Sequence, residues 1–414
     1  MIIVNKSHID QPYPMLEELA CEGLKKRVAD ILVKYPERNT ERQAYQDRLF
    51  SELEIIKQAQ LSENFLMMSD IVTWAKDKGI PVGPGRGAIV GSIVAYAIRI
   101  TDIDPMRYNL LFERYLNTER MIMPSVDMDC CEDRRDEVVQ YVLNNYGGDL
   151  DNDGCCLRLN LPVKLDHAVL NVAQAEKKQV EANSHIMHYF HGLKHLTSNN
   201  KAVRLIRAGK LPDFDLANLR DDDEATFNLI ASGNTKNTFQ FDSVGMKKFI
   251  RQLKPNCFED LIALSSLYRP GPILSGMVDD FIKRKHGHRK IIYERPQLVP
   301  ILKCTYGAMI YHEQVMEIIQ AIAGYSLGEA DLLRRKFVKL SIPAFSIEKE
   351  RFLAGAQKQG ISARTATIIL NLMAKYAEFC FLKAHATAYA LISYQSAYLK
   401  AHYPEEFEKA LRPL

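Results

Sequence analysis

At 414 residues, with 47% hydrophobic and 25% charged side chains, the chain is long enough for two or three domains with cores of their own. No apolar run approaches the ~20 residues of a membrane span, and Met1-Ile-Ile-Val-Asn-Lys6 lacks the apolar core of a secretory signal, so the expected location is cytoplasmic. A net charge of +3 is too small to identify a polyanion partner, and the eight cysteines, including the pairs Cys130-Cys131 and Cys155-Cys156, follow neither a zinc spacing nor a secreted disulfide pattern, which leaves reduced and mostly buried thiols.

Along the first 60 residues apolar positions recur at helical spacing, as in Leu16 to Ala20 and Leu24 to Val33, and read as peripheral helices. Ser62 is placed to cap a helix through Phe65, Ile71 and Trp74, which Gly79 before Pro81 stops. The chain then enters Pro81-Val-Gly-Pro-Gly-Arg-Gly-Ala-Ile-Val-Gly-Ser92. Three glycines in five residues, Gly83, Gly85 and Gly87, free the backbone for positive φ and close approach, so that its N–H groups face an anion, and Arg86 adds a fixed charge. Ile89 to Ile98 reads as a small-residue apolar helix whose N-terminal dipole faces the same anion.

After Phe112-Glu-Arg114, Pro124 opens a strand. Its period of two sets Ser125, Asp127 and Asp129 on one face, where two carboxylates suit hard, oxygen-seeking cations. A helix follows from Asp136 to Tyr146. Taken singly, a glycine-rich loop is most often a turn and an Asp-x-Asp pair a solvated face. Together and in this order they describe a phosphate site beside a metal site, the pairing that nucleotidyl transfer requires.

Residues 147–160 break the pattern. Asp149-Leu-Asp151-Asn-Asp153-Gly154 opens like a calcium loop, but Asn160 stands where the bidentate Glu belongs, so a solvated turn is expected. Leu161-Pro-Val-Lys-Leu-Asp-His167 reads as a strand, and from Asp213 onward the chain is mainly helical. Basic clusters at Lys247 to Lys254, Lys283 to Lys290 and Arg334 to Lys336 suit phosphate backbones, although such runs also serve as solvated faces.

The loop, Phe112 to Asn117 and Pro124 to Asp129 resemble the palm of the C family of bacterial replicative DNA polymerases, the α subunits of DNA polymerase III. Thr238 to Met246, Tyr268-Arg-Pro-Gly-Pro272, Tyr306 to Met316, Gly324 to Arg335 and Lys383 to Gln395 resemble its fingers in the same order. The resemblance implies an α+β fold, a nucleotidyltransferase-type palm with a mixed sheet followed by a mainly helical fingers domain. On this basis residues 1–60 are peripheral helices, 61–147 the first part of the palm, 148–160 a junction, 161–190 the last palm strand and helix, and 191–414 the fingers. It further implies Mg²⁺ chemistry on Asp127, Asp129 and Asp166, with Asp127 and Asp166 catalytic. Gly85, Arg86, Gly87, Arg114, Arg334, Arg335, Lys383 and His385 become the residues that hold the dNTP phosphates. The implied partners are primer–template DNA, dNTPs and other replisome subunits.

The chain departs from the family pattern at its most demanding positions. Ser125 replaces the first catalytic acid of the strand, and Asp129 aligns with a non-catalytic one. Shifting a ligand by two residues would displace it ~6–7 Å. Ala88, Ile89, Glu378, Cys380 and Leu382 also differ from the family residues. Residues 147–160 stand where the family carries a thumb and part of the palm, which leaves the thumb missing and a sheet edge expected to be open. The family's PHP, helix-hairpin-helix, clamp-binding and OB segments have no counterpart. Two readings follow: a polymerase core, or a catalytically degraded DNA-binding or polymerase-associated remnant.

Overall fold

The computed structural model describes residues 11–119, 126–147, 149–150, 156–159, 186–339 and 342–412. The fold is α+β and divides into two units, one running to Asn218 and resumed from Glu405, the other from Leu219 to Pro404.

In the first unit the helices are α1 (Pro12–Lys34), α2 (Arg42–Gln58), α3 (Ser62–Asp77), α4 (Ile93–Ala97) and α5 (Arg135–Tyr146). Leu16, Ala20, Leu24 and Ile31 form the buried stripe of α1, and Tyr45, Leu49, Leu53 and Ile56 that of α2. These two helices are not peripheral. Arg27 of α1 donates to the carbonyls of Tyr96 (3.0 Å) and Thr101 (2.9 Å) and pairs with Asp102. A Cβ on Gly23 would lie 2.2 Å from the carbonyl oxygen of Ala97, so α1 touches α4 backbone to backbone. Ser62 starts α3 without capping it; Leu61 holds the cap position. Trp74 of α3 stacks on Tyr141 of α5 at 4.1 Å between ring centroids.

The sheet comprises β1 (Val126–Cys131), β2 (Asp149–Leu150), β3 (Cys156–Leu159) and β4 (Ile186–Leu193), in the order β1-β4-β3-β2. β4 runs parallel to β1, while β3 is antiparallel to both of its neighbours. The described strand beside β1 is thus 186–193; the segment 161–167, with Asp166, lies outside the described residues. β3 pairs with β4 from Cys156 opposite Tyr189 to Leu159 opposite Ile186, so the edge expected to be open is covered over that length. On the far side of β1, Val82 bridges Cys130, the N–H of Gly83 donates to the Asp129 carbonyl (2.8 Å), and the N–H of Cys131 donates to that of Pro81 (2.9 Å). Met128, Cys130, His188 and Phe190 share one face of the β1–β4 pair and are buried, and Asp127, Asp129, Tyr189 and His191 share the other. The helix Lys194–Gly209 follows β4 within this unit.

In the second unit the named elements of the described residues are all helices, packed around a core that includes Phe241, Phe281, Tyr311, Phe352 and Tyr394. The longest of them, Lys383–His402, is buried along most of its length because Ala384, Ala386, Ala388, Ala390 and Ala397 admit close neighbours. Its start is capped by Glu313, whose carboxylate accepts the N–H groups of Lys383 (2.9 Å) and Ala384 (3.1 Å). From Glu405 the chain rejoins the first unit, where Glu406 pairs with Lys210 at 2.8 Å. Cys21, Cys130, Cys131, Cys257, Cys304 and Cys380 are free thiols, of which Cys130, Cys131 and Cys380 are buried and Cys257 is exposed. No helix among the described residues is long and apolar enough to cross a membrane.

Candidate active site

The glycine-rich loop is held in place by sterics. Gly85 has φ +124°, and a Cβ there would lie 2.9 Å from Val90 Cγ2 and 3.0 Å from Thr101 Cγ2. Gly83 rides on β1, where a Cβ would meet that of Asp129 at 3.0 Å, whereas Gly87, at φ +73°, faces open space. The loop continues into the turn Gly87–Gly91, which abuts the segment bearing Arg114: a Cβ on Gly91 would lie 2.7 Å from the Leu111 carbonyl. Arg114 itself is half-buried in the turn Phe112–Arg114.

This anchoring delivers the Arg86 guanidinium onto both strand carboxylates, with Nε 3.4 Å from Asp127 Oδ2 and Nη1 3.2 Å from Asp129 Oδ1. The Asp129 side chain is fully buried and that of Asp127 is 28% exposed. Asp127 Oδ1 is buried and has no hydrogen-bond partner among the described residues. The crevice around them is lined by Met68, Val72, Gly85, Ile100 and Thr101. From β4, Tyr189 lies beside Asp127 and His191 beside Asp129. Burial, and then the Arg86 charge, lower the pKa of His191.

The expectation that the helix after the loop turns its N-terminus toward a ligand is corrected by Glu52. Ser92 Oγ donates to Glu52 Oε2 (2.8 Å), and the N–H of Val94 donates to the same oxygen (3.2 Å). Arg48 pairs with the other oxygen at 2.7 Å, and burial raises the Glu52 pKa. The anion at this helix is the protein's own carboxylate, and the helix is only Ile93–Ala97.

The candidate phosphate ligands of the second unit are likewise engaged internally. Arg334 is buried against Asp331 (2.7 Å), which also takes Arg335 (2.8 Å). Lys383 is buried with its Nζ 3.7 Å from Glu259 Oε2 and over the Tyr311 ring. His385 packs against the rings of Phe381 and Tyr389.

Among the described residues no group of three His, Cys, Asp or Glu side chains is disposed to hold a metal ion. Two carboxylates sharing an arginine, flanked by Tyr189 and His191, do not fit a two-ion centre. Ser125 and Asp166 lie outside the described residues. Sequence reasoning passed over Tyr189, His191, Glu52 and Glu313. Glu313 had a visible signal, its place in the His312-Glu-Gln314 motif; the others had none, because a lone acid on a helix and a Tyr or His in a strand are ordinary.

A glycine-rich loop carrying Arg86 is laid along an acidic strand in an α+β unit, and the chain continues into a separate helical unit. Residues 14–152 match the family described as the bacterial DNA polymerase III alpha NTPase domain, and residues 195–360 match the bacterial DNA polymerase III alpha subunit finger domain. The chain belongs to the family of the bacterial DNA polymerase III alpha subunit. It is 35% identical to DNA polymerase III subunit alpha of Escherichia coli K12, over 96% of this chain and 43% of the relative. It is 36% identical to that of Pseudomonas aeruginosa PAO1, over 96% of this chain and 42% of the relative, and 36% identical to that of Campylobacter jejuni, over 96% and 40%. The chain thus spans less than half the length of these relatives. The E. coli alignment runs over 495 residues, more than the chain contains, so the relative has residues inside the matched region without counterparts here.

Proposed function

We propose that the chain is a DNA-directed DNA polymerase core of the DNA polymerase III alpha type, acting in the cytoplasm on primer–template DNA and dNTPs in replication or repair, alongside other replisome subunits. The supporting observation is that the first unit holds one match to that family, residues 14–152, and the second holds most of another, residues 195–360. In this reading the backbone at Gly85 and Gly87 and the guanidiniums of Arg86 and Arg114 receive the triphosphate, since planar guanidiniums bind phosphate oxygens in pairs. Arg334, Arg335, Lys383 and His385 are read as further phosphate ligands, available once their internal partners yield. Asp127, Asp129 and Asp166 form the acidic set to which the family's Mg²⁺ would belong, and the described part of that set, two carboxylates sharing Arg86, does not fit two ions. The exposed Lys248, Lys283 and Lys290 suit the DNA backbone.

One observation favours a second reading, a DNA-binding relative without polymerase activity: Arg86 already pairs with both strand carboxylates, and Tyr189 fills the neighbouring position. Primer extension on a primed template with Mg²⁺ or Mn²⁺, beside an Asp127→Ala control, separates the two. Extension lost in the control supports the polymerase core. Absent extension from folded protein that still shifts DNA at low salt supports the binding relative.

A further inference from the structure

We propose that Arg86 is the resident counter-ion of Asp127 and Asp129, and that its guanidinium and a divalent cation compete for the same carboxylate oxygens. The inference rests on reading β1 as the acidic strand of the site, but its test measures ion binding and not extension, so the two can fail separately.

A fully buried carboxylate such as Asp129 requires a polar or charged partner, and Arg86 is one, at 3.2 Å. The loop cannot slide away from the strand. The two backbone hydrogen bonds of the Val82–Cys130 bridge fix its start, and the tight seat of Gly85 fixes the residue before Arg86. Asp127 Oδ2 and Asp129 Oδ1, the oxygens that would converge on an ion, are the two facing the guanidinium. A divalent ion placed there would meet a like charge at close range, and the carboxylates on the described strands that offset it are Asp127 and Asp129, the adjoining positions on β4 being Tyr189 and His191. An ion therefore enters only when Arg86 leaves, and a phosphate group is the anion able to draw it off. In this chain the loop arginine thus links ion binding to phosphate binding.

The test is a titration of the full chain with Mn²⁺, following the free ion by electron paramagnetic resonance. The wild type should show no tight site, Arg86→Gln should bind Mn²⁺ at least about tenfold more tightly, and Arg86→Gln with Asp127→Asn should lose the gain. A wild-type site abolished by Asp127→Asn overturns the proposal, as does an Arg86→Gln protein that folds by circular dichroism yet binds no better than wild type. If Arg86→Gln does not fold, Arg86→Lys, which retains a cation of different reach, serves in its place. An Arg86→Lys protein that folds yet binds Mn²⁺ no better than the wild type also overturns it.

Discussion

Tyr189 lies directly beside Asp127 across the parallel strands β1 and β4, on the face that carries the acidic pair. Tyr189→Asp would set a third carboxylate around a single guanidinium. Like-charge repulsion should lower stability at pH 7 by about 1–2 kcal/mol. Part of that loss should return when millimolar Mn²⁺ is added. Urea denaturation with and without the ion reads both effects; a variant as stable as the wild type and indifferent to Mn²⁺ would show that the position does not face the pair.

The two acids of β1 should differ in their structural weight. Asp129 is fully buried and Asp127 is partly exposed, although both meet Arg86. Asp129→Asn leaves a buried neutral amide beneath an arginine and should cost about 2–3 kcal/mol, whereas Asp127→Asn, screened by solvent, should cost under about 1 kcal/mol. Chemical denaturation of the two variants checks the order.

Within the loop, Gly85→Ala forces a Cβ against Val90 and Thr101 at a positive φ, while Gly87→Ala meets only the strain of its φ. The first should cost about 3 kcal/mol or more, and the second about 1–2 kcal/mol. Thermal melts of the purified variants would report the difference, and equal losses would contradict the tight seat at Gly85.

His188 is buried with no hydrogen-bond partner at either ring nitrogen among the described residues, and burial lowers its pKa to about 4. The unfolded chain, near the ordinary 6.5, takes up this proton before the folded one does. No stability is lost to this group above about pH 6.5. Between there and about pH 4 folding weakens by about 1.4 kcal/mol per pH unit. His188→Phe should flatten that part of the stability–pH curve, and a curve parallel to that of the wild type would rule His188 out as its cause.

Local signals carried much of the architecture. Helical spacing marked α1, α2 and α3, the proline before the acidic segment preceded β1, and the glycine cluster announced a loop with positive φ, all properties written within a few consecutive residues. Pairings made over long sequence separations were not legible. That Arg86 would meet Asp127 and Asp129 depends on the bridge from Val82 to Cys130, and that Glu52 would take the start of α4 depends on how α2 packs. The strand beside β1 was sought around Asp166 because an acid there matched an expectation about chemistry. The described partner, Ile186–Leu193, has no acid on it and gave composition nothing to flag.

The return of the chain to the first unit at Glu405 makes the helical unit an insertion with both of its ends tied to the same body. A single proteolytic nick between 219 and 404 yields two fragments, each retaining a piece of the first unit, with the shorter piece held by the buried Phe407 and the Lys210–Glu406 pair. Such a nicked protein would migrate as one species under native conditions and separate only in denaturant. Cutting the coding sequence after residue 404 to obtain the first unit and its insertion would strip the former of a buried side chain.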